Sequence, residues 1–340
     1  MMAPLPARHW IEPHPNGIYV RPADAWIDPS EPQARALITH GHADHARGGH
    51  ESVWATPETL AIMALRYGTG LDGSVSRPLG YDEPLRMNGV DIRFVPAGHV
   101  LGSAQIVLEH AGERVVVTGD YKRRHDPTCA AFEVVPCDIF VTEATFGLPV
   151  FRHPETTSEI DRLLGALHAN PDRCVLVGAY GLGKAQRVIA ELRARGHHDV
   201  IYIHGALERM CALYEEHGVA LGALQPLAGL PSAALRGHIV LAPPSALNDR
   251  WSRRLPSPIT AMASGWMRVR QRARQRNVEL PLVISDHADW DELTDTIREV
   301  APAETWVTHG REEALVHWCQ THQMRARALA LVGREDEDEG

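Results

Sequence analysis

The sequence predicts an α/β protein in which a module of alternating helices and strands is inserted into a β-rich module. Short apolar or β-branched segments bounded by turn residues follow one another through the first 148 residues. After Pro154 helices and strands alternate, and after residue 280 the β-rich pattern resumes with two further helices. We therefore assign residues 1–150 and 281–333 to the β-rich module, 151–280 to the insertion and 334–340 to an acidic tail.

The first module is predicted to contain eight strands and one helix. Its strands are Gly17–Val20, Ala25–Ile27, Ala36–Thr39, Val53–Ala55, Asp91–Pro96, Ala104–Glu109, Arg114–Thr118 and Ile139–Thr142. The helix, Thr56–Tyr67, has a Thr cap followed by a proline in its first turn, which is a common way for a helix to begin.

The inserted module alternates between the two kinds of element, which indicates a parallel sheet. Its helices and strands are Thr157–His168, Cys174–Gly178, Lys184–Arg195, Ile201–His204, Leu207–His217 and His238–Ala242. The final part of the chain is predicted to form strand Leu282–Ser285, helix Trp290–Val300, strand Thr305–Thr308 and helix Glu312–Gln320.

Composition and charge are those of an ordinary enzyme. The formal net charge is −9, but Glu335–Glu339 supply five of the negative charges, so the total does not exclude a nucleic-acid partner. No apolar run approaches the roughly 20 residues that span a bilayer, and the first ten residues lack a signal-peptide core. The five cysteines are scattered without a CxxC pair, as is typical of reduced thiols. We therefore expect a cytoplasmic protein without membrane association.

The run His40-Gly41-His42-Ala43-Asp44-His45 is the most informative segment of the chain. It directly follows the predicted strand Ala36–Thr39. Alternation places His40 and His42 on one side of an extended chain, and Asp44 and His45 can turn toward a second point if they begin a helix. Imidazole and carboxylate are good ligands for zinc-class ions. The spacing therefore indicates two metal ions.

Further ligand-type residues follow other predicted strands. His99, Asp120, His309 and Asp28 each come just after a strand, with a glycine or proline close by. A small neighbour lets the backbone approach a crowded centre. Together with the histidine run, these positions are best explained as one site at one edge of a sheet sandwich.

These residues resemble the metallo-β-lactamase fold, an αββα sandwich with a dinuclear metal site at one edge. The segment Val141–Gly147 is similar to the acidic first motif of the β-CASP nucleases, Ser285–Asp289 to the second and Thr308–Gly310 to the third. The inserted α/β module matches the extra domain of that group. Within the group, Val177–Ala185 resembles the DNA-repair branch, and Thr145–Pro149 is similar to bacterial ligase-associated DNA exonucleases.

The resemblance implies a division of the metal ligands. One ion would be held by His40, His42 and His99. The other would be held by Asp44, His45 and His309, with Asp120 bridging the two. Two ions about 3.5–4 Å apart can share a hydroxide that attacks phosphorus near neutral pH. Zn²⁺ is the expected metal, and Mn²⁺ fits the same ligands.

Other residues are assigned roles around these ligands. Asp28 is expected to accept a ring N–H of a metal-binding histidine, or else to cap a strand end before Pro29. Glu143 and His287 form the candidate acid pair that protonates the leaving oxygen, beside the catalytic carboxylates Asp44 and Asp120. Asp286 and Asp289 are alternative partners of His287.

Candidate substrate contacts lie in the inserted module. The turn containing Gly181 and Gly183 opens a helix at Lys184, and such a helix start presents N–H groups to a phosphate. The five arginines at every second position from Arg268 to Arg276 would share one face of an extended segment, as a phosphate-binding strand or as a solvated one. Trp266 is either a base-stacking residue or a core residue.

These observations favour a metal-dependent phosphodiesterase, a DNA-repair exonuclease of the ligase-associated type with a DNA ligase and a helicase as functional partners. The alternative is an RNA endo- or exonuclease of the same fold, since the metal chemistry is the same for both polymers. A small-molecule hydrolase has no need of the inserted module, and a non-catalytic scaffold has no need of a complete ligand set. The sequence leaves open the polarity and mode of cleavage, any 5′-phosphate requirement, the native metal and the oligomeric state.

Overall fold

The computed structural model describes residues 7–68 and 73–329, so the predicted acidic tail at 334–340 lies outside the described residues. The chain divides into two compact units. The first unit comprises the chain up to Arg152 and from His287 onward, and the second comprises His153–Asp286. The breaks therefore fall a few residues after the boundaries expected near 150 and 280.

The described residues form seven α-helices and nineteen strands. The helices are α1 Pro57–Tyr67, α2 Thr156–Ala169, α3 Lys184–Ala194, α4 Gly205–Glu216, α5 Arg270–Gln275, α6 Trp290–Val300 and α7 Glu312–Thr321. The strands are β1 Ile11–His14, β2 Gly17–Val20, β3 Ala25–Ile27, β4 Arg35–Leu37, β5 Ser52–Ala55, β6 Val75–Pro78, β7 Leu85–Met87, β8 Val90–Pro96, β9 Ala104–His110, β10 Glu113–Val117, β11 Ile139–Ala144, β12 Val175–Gly178, β13 Ile201–Ile203, β14 Leu224–Pro226, β15 Ile239–Ala242, β16 Ile259–Ala263, β17 Leu280–Leu282, β18 Glu304–Gly310 and β19 Ala326–Ala328.

The first unit contains two sheets that pack face to face. One sheet has the strand order β1-β2-β3-β4-β5-β6, and the other has the order β19-β18-β11-β10-β9-β8-β7. Their inner faces share one apolar core, in which Ile27 and Leu37 of the first sheet join Phe94, Ile106 and Val141 of the second. Alternating residues along each strand point into this core and away from it.

Helices cover the outer faces of both sheets. On the first sheet, Leu60 and Met63 of α1 pack against Val53. On the second, Leu293 of α6 and Leu315 of α7 join the cluster that contains the outward-facing residues of that sheet. The order helix, sheet, sheet, helix confirms the αββα sandwich expected from the sequence.

The second unit is built on one parallel sheet with the strand order β14-β13-β15-β12-β16-β17. Its central strands are fully buried, as is typical of parallel sheets covered on both faces. The sheet agrees with the parallel arrangement expected from the alternating helices and strands.

Three local predictions in this unit were wrong or incomplete. The strand expected at Leu282–Ser285 is instead β17, Leu280–Leu282, because the chain turns after Leu282 with a hydrogen bond from the Ile284 N–H. Strand β16 was not predicted, since Ala and Met carry little strand preference. The arginines expected on an extended segment lie instead in a 3-10 helix, Gly265–Arg268, and in α5.

Candidate metal centre

Strand direction brings the ligand-type residues of the second sheet to one edge. Strand β9 is antiparallel to both β8 and β10. Strand β11 lies between β10 and β18 and is parallel to both. Strands β8, β10, β11 and β18 therefore run in one direction, and their carboxyl ends meet at the same edge. The residues at or after these ends are His99, Asp120, Glu143 and His309.

The histidine run reaches the same edge from the other sheet. It follows β4, and the Thr39 carbonyl accepts a hydrogen bond from the N–H of Ala104 at the start of β9 (2.8 Å). Gly119 lies against Thr39 from the opposite side, where a Cβ would come within 2.7 Å of the Thr39 side chain. These contacts hold the run close to the loop that carries Asp120.

Asp44 and His45 lie in a turn and do not begin a helix. The turn closes with a hydrogen bond from the Ala46 N–H to the His42 carbonyl (2.8 Å), and the next helix, α1, begins only at Pro57. The turn nevertheless places the two side chains in a second donor group with His309, although the His45 ring centroid is only 4.1 Å from that of His40.

The seven predicted metal ligands form two adjacent groups. Within each group the potential ligand atoms lie within 4.8 Å of one another. The groups are His40, His42, His99 and Asp120, and then Asp44, His45 and His309. Asp120 lies between them, because its Oδ2 is 3.5 Å from His40 Nε2 and 3.4 Å from His45 Nε2.

A buried hydrogen-bond network fixes how two of these histidines face the site. Asp28 Oδ2 accepts from the Thr39 hydroxyl (2.6 Å) and lies 2.8 Å from His45 Nδ1. Because the Thr39 hydroxyl donates to Asp28, it can only accept from His40 Nδ1, at 3.0 Å. Both rings therefore carry a proton on Nδ1, so Nε2 is the atom of each ring that is directed to the ligand groups and would coordinate a metal.

The carboxylates and imidazoles of the site shift one another's protonation. Burial opposes charge on His45, but Asp44 and Asp120 outweigh it and raise the pKa of the His45 ring well above its ordinary value. Burial likewise opposes charge on Asp120, yet His45 holds the pKa of that carboxyl well below its usual range. Burial, reinforced by His45 and His99, lowers the pKa of His40 and keeps that ring neutral.

These donors fit a divalent metal. His40 Nε2, Asp44 Oδ1 and Asp120 Oδ1 are buried and have no hydrogen-bond partner among the described residues. His99 Nε2 and His42 Nδ1 lie 2.9 Å apart, so two ring nitrogens converge on one point. Buried polar atoms without partners are costly in an apo protein and are satisfied when they coordinate a cation. Imidazole nitrogen and carboxylate oxygen are the donors that Zn²⁺ and Mn²⁺ accept.

Glu143 and His287 form a second constellation beside the ligands. Glu143 is fully buried on β11 and accepts a hydrogen bond from the Tyr121 N–H (2.8 Å). His287 Nδ1 lies 3.1 and 3.0 Å from the two Glu143 oxygens, and the ring is partly exposed. With Asp120 these two residues form a third group of mutually close donors. The carboxylate therefore orients an imidazole next to the ligand groups.

The two alternative partners of His287 have other tasks. Asp289 caps helix α6 through the Glu292 N–H (3.0 Å) and pairs with Arg124 (2.7 Å). Asp286 pairs with Lys184 within the second unit (3.0 Å). Glu143 is thus the carboxylate that holds the His287 ring.

His309 reaches the site through a β-bulge. Glu143 pairs with Thr308 and Ala144 pairs with Gly310, so His309 is an extra residue in β18. Its φ of +59° is unusual for a residue with a side chain. A bulge of this kind redirects one side chain, here toward Asp44 and His45.

The predicted substrate-binding turn has a different environment from the one expected. Gly181 and Gly183 precede α3, and Gly183 is its N-cap with a φ of +86°. Lys184 is buried, however, and its ammonium is 3.0 Å from the buried Asp286 carboxylate. The charge of Lys184 therefore neutralises a carboxylate inside the second unit, which differs from the expected contact with a substrate phosphate.

Trp266 is a core residue and not a platform for a base. Its side chain is buried with Met267 in the 3-10 helix before α5, and the Arg272 guanidinium covers the ring at 3.9 Å. A ring covered in this way has no face on which a nucleotide can stack.

Sequence reasoning missed residues that shape the site without binding a metal. The Ser103 hydroxyl accepts hydrogen bonds from the N–H groups of His99 (3.0 Å) and Val100 (3.2 Å) and so folds the His99 loop. Thr39 orients Asp28 and His40. Their positions beside ligand residues were the available signal, but a hydroxyl next to a turn is too common to single out.

Known proteins resemble this chain. Residues 31–178 match the sequence profile of the metallo-beta-lactamase superfamily. A probable DNA ligase of Opitutus terrae is 28% identical over 333 residues, which are 96% of this chain and 32% of that protein. Ribonuclease TTHA0252 of Thermus thermophilus is 29% identical over 197 residues, 50% of this chain and 45% of the ribonuclease. The endoribonuclease YSH1 of Eremothecium gossypii is 34% identical over 156 residues, 45% of this chain and 19% of YSH1.

Fold comparison gives the same architecture. A protein of unknown function from Enterococcus faecalis V583 aligns with a TM-score of 0.58 at 12% identity, covering 88% of this chain and 80% of that one. Residues 31–178 thus form a metallo-β-lactamase domain, and the relatives are consistent with the β-CASP nuclease group expected from the sequence. It spans about a third of the Opitutus relative and under half of the other two. No helix in the described ranges is long and apolar enough to cross a membrane.

Proposed function

We propose that this chain is a metal-dependent DNA exonuclease that acts in repair alongside a DNA ligase and a helicase in the cytoplasm. The observation that carries the proposal is the pair of adjacent donor groups joined by Asp120, with the Glu143–His287 pair beside them. This arrangement can bind divalent metal and deliver a proton at one point, as hydrolysis of a phosphodiester requires.

The two donor groups define which residues would hold the metals. His40, His42 and His99 would hold one ion, Asp44, His45 and His309 the other, and Asp120 lies where it can contact both. When bound, two divalent ions supply an activated water and neutralise charge on the phosphate oxygens. Asp28 and Thr39 keep the Nε2 atoms of His40 and His45 directed to these positions.

We assign His287 the role of protonating the oxygen of the leaving group. Its Nδ1 proton is engaged by Glu143, so a proton delivered to the substrate leaves from Nε2. Glu143 favours the protonated ring because its carboxylate lies next to the positive charge and is shielded from water. Proton transfer of this kind contributes about 10²–10⁴-fold to rate.

The extent of the matches favours DNA over RNA as the substrate. The relative described as a DNA ligase aligns with 96% of this chain at 28% identity. The two ribonucleases above match only 45% and 50% of the chain. An RNA nuclease is the second candidate, because those matches reach 34% identity in shorter segments.

The proposal is tested with end-labelled single strands of DNA and RNA of one sequence, each with a 5′-phosphate or a 5′-hydroxyl. With added Zn²⁺ or Mn²⁺, we expect stepwise shortening of the DNA, and the labelled end then gives the polarity. The variant Asp120→Ala should be inactive, whereas Asp295→Ala, an exposed carboxylate on α6, should match the wild type.

Three outcomes of this assay would decide against the proposal. Cleavage of RNA with DNA left intact would assign the chain to RNA processing. Activity that persists in Asp120→Ala would remove the two-metal mechanism. If neither polymer is cut under any metal condition, a hydrolase of small molecules becomes the leading alternative.

A further inference from the structure

The most basic stretch of the chain lies in the second unit, at residues 250–278. It contains eight arginines and no Asp or Glu, within a protein whose formal net charge is −9. The arginines are Arg250, Arg253, Arg254, Arg268, Arg270, Arg272, Arg274 and Arg276. Within these bounds no acidic residue balances their charge, and the nearest carboxylates in the sequence are Asp249 and Glu279 at the two ends.

The arginines fall into two segments that pack on the same side of the sheet. The first is the 3-10 helix Ser252–Arg254, flanked by Trp251 and Leu255. The second runs from the 3-10 helix before α5 to the end of α5, and it contributes Met267 and Ala273. All four apolar residues belong to one hydrophobic cluster, together with Leu176, Val240 and Met262 of the sheet. Because both segments are anchored on this cluster, their arginines lie on the same side of the second unit.

Most of these arginines are exposed. Six side chains are directed to solvent, and in the described part of the chain none of the six forms an ion pair with a carboxylate. They are Arg250, Arg253, Arg254, Arg268, Arg270 and Arg274. Some exposed arginines elsewhere are paired, such as Arg86 with Asp91 at 3.0 Å and Arg298 with Asp295 at 2.8 Å. Others, such as Arg47, Arg77 and Arg311, form no ion pair within the described ranges, but they are scattered along the chain and not clustered. We call the six unpaired residues the arginine face.

We propose that the arginine face binds the phosphodiester backbone of a single-stranded nucleic acid. Guanidinium groups match phosphate geometry and need no carboxylate partner when phosphates take that place. Arg270 and Arg274 are one helical turn apart on α5 and project together, so they can contact successive phosphates. Contacts of this kind recognise charge and spacing and not base identity. The inference extends the proposed function, because it assumes that the polymer bound here is the substrate.

The test measures binding and its dependence on salt. The probe is a fluorescein-labelled phosphorothioate strand of about 20 nucleotides, which resists hydrolysis and keeps the backbone charge. Fluorescence anisotropy gives Kd for DNA and RNA probes of the same sequence between about 50 and 200 mM salt. The full chain is compared with a variant carrying Arg253→Gln, Arg254→Gln, Arg270→Gln and Arg274→Gln.

A matched variant controls for net charge. It carries Arg86→Gln, Arg152→Gln, Arg195→Gln and Arg298→Gln, which removes four exposed arginines that are paired with carboxylates. We expect the first variant to bind about tenfold or more weakly and to lose up to about 3 from the slope of log Kd against log salt, since each phosphate contact contributes about 0.7. The control variant should keep most of the slope.

The inference is overturned if both variants weaken binding equally, if the slope is unchanged, or if the effect is confined to one polymer. Binding and cleavage are read separately, so the two proposals can fail separately. If the wild type cuts neither polymer but the first variant loses the salt dependence of binding, the proposed function is contradicted and binding by the arginine face is supported. If the wild type cuts DNA but the first variant binds as tightly as the wild type, the proposed function is supported and binding by the arginine face is contradicted.

Discussion

At the scale of single residues, two acidic side chains orient histidines of the site by hydrogen bonding to their Nδ1 atoms. Asp28 sets which nitrogen of His45 carries a proton and, through Thr39, does the same for His40. Glu143 does the same for His287. Asp28 has a φ of +44°, a conformation that costs about 1–3 kcal/mol and is kept where surrounding structure enforces it. The donors are therefore oriented in advance of any metal.

The variant Asp28→Asn tests this orientation. The amide can no longer accept both hydrogen bonds, so the His45 ring loses the partner that holds its Nδ1 proton and orients Nε2 toward the donor groups. We expect metal affinity to fall by about 10–100-fold with the fold intact. Chelator competition with Zn²⁺ measures the affinity, and Asp24→Asn, an exposed carboxylate on the same unit, is the control. Unchanged affinity would show that Asp28 only caps its strand.

The variants His287→Gln and Glu143→Gln test the proton donor. Because neither residue is among the seven predicted metal ligands, although the two form a further donor group with Asp120, we expect kcat to fall by about 10²–10⁴-fold with little change in KM or bound metal. A loss of metal from either variant would indicate that the pair belongs to the metal site and not to proton transfer.

The sequence allowed the metal-ligand candidates to be predicted, but not the hydroxyl side chains that hydrogen-bond to them or to their loops. His40 to His45 form a dense ligand pattern, and His99, Asp120 and His309 follow strands whose ends must meet. Thr39 and Ser103 have no such signal, because a hydroxyl beside a turn is common, although both contact residues close in the chain: Thr39 contacts Asp28 and His40, and Ser103 contacts His99. The metal-ligand candidates could be predicted from the sequence, whereas the hydrogen-bond partner of each hydroxyl could not.

At the scale of elements, the bulge in β18 shows how one inserted residue redirects a side chain. The bulge depends on Gly310, whose φ is +77° and where a Cβ would come within 2.3 Å of the Ala144 carbonyl oxygen. The atom in the way belongs to the backbone of β11, which cannot move aside as a flexible side chain can. Any side chain at position 310 would therefore displace β18 from β11. The geometry of His309 thus rests on the residue after it.

The variant Gly310→Ala is predicted to lose metal affinity and stability together. Its control is Gly112→Ala, because Gly112 has a similar φ of +85° but nothing within 4 Å of the added Cβ. The conformational cost of about 1–2 kcal/mol is common to both. A larger shift of the urea midpoint in Gly310→Ala than in Gly112→Ala, together with weaker Zn²⁺ binding, is the expected result. Equal shifts would mean that the bulge tolerates the side chain.

The ion pair at the start of α3 gives a second prediction at this scale. The variant Lys184→Met leaves the buried Asp286 carboxylate with Arg187 at 3.5 Å as its remaining cation. We expect a loss of about 3 kcal/mol in the free energy of unfolding, as for other broken buried pairs, and little change in KM. Arg195→Met, which breaks an exposed pair with Asp161, should cost under about 1 kcal/mol. A raised KM with unchanged stability would restore the predicted phosphate contact.

Helices and strands could be predicted from the sequence where the spacing of apolar residues indicates which side of the element is buried. The central strands and long helices have a clear apolar period, and most were predicted within two residues. Arg268 to Arg276 show why charge alternation is weaker evidence: the period of two among polar residues says nothing about which side is buried. Met267 and Ala273 determine the helical turns by packing into the core.

At the scale of the whole molecule, stability should depend on metal. A metal that binds only the folded first unit stabilises it by about 4 kcal/mol at a concentration of 1,000 times Kd. We expect EDTA to lower the Tm and Zn²⁺ or Mn²⁺ to restore it. A variant with His40→Ala and His45→Ala should lose this response, whereas His322→Ala, an exposed histidine on the same unit, should keep it. A Tm that is the same with and without EDTA would contradict metal binding at this site.

The order of the donors along the chain has a consequence for biosynthesis. Six of the seven predicted metal ligands lie between residues 40 and 120, but His309 and the proton donor His287 come after the entire second unit. A chain truncated anywhere within that unit lacks the strand β18, one predicted metal ligand and the proposed proton donor. If the proposed function holds, we therefore expect incomplete translation products to carry most of the predicted metal ligands but to be inactive as nucleases.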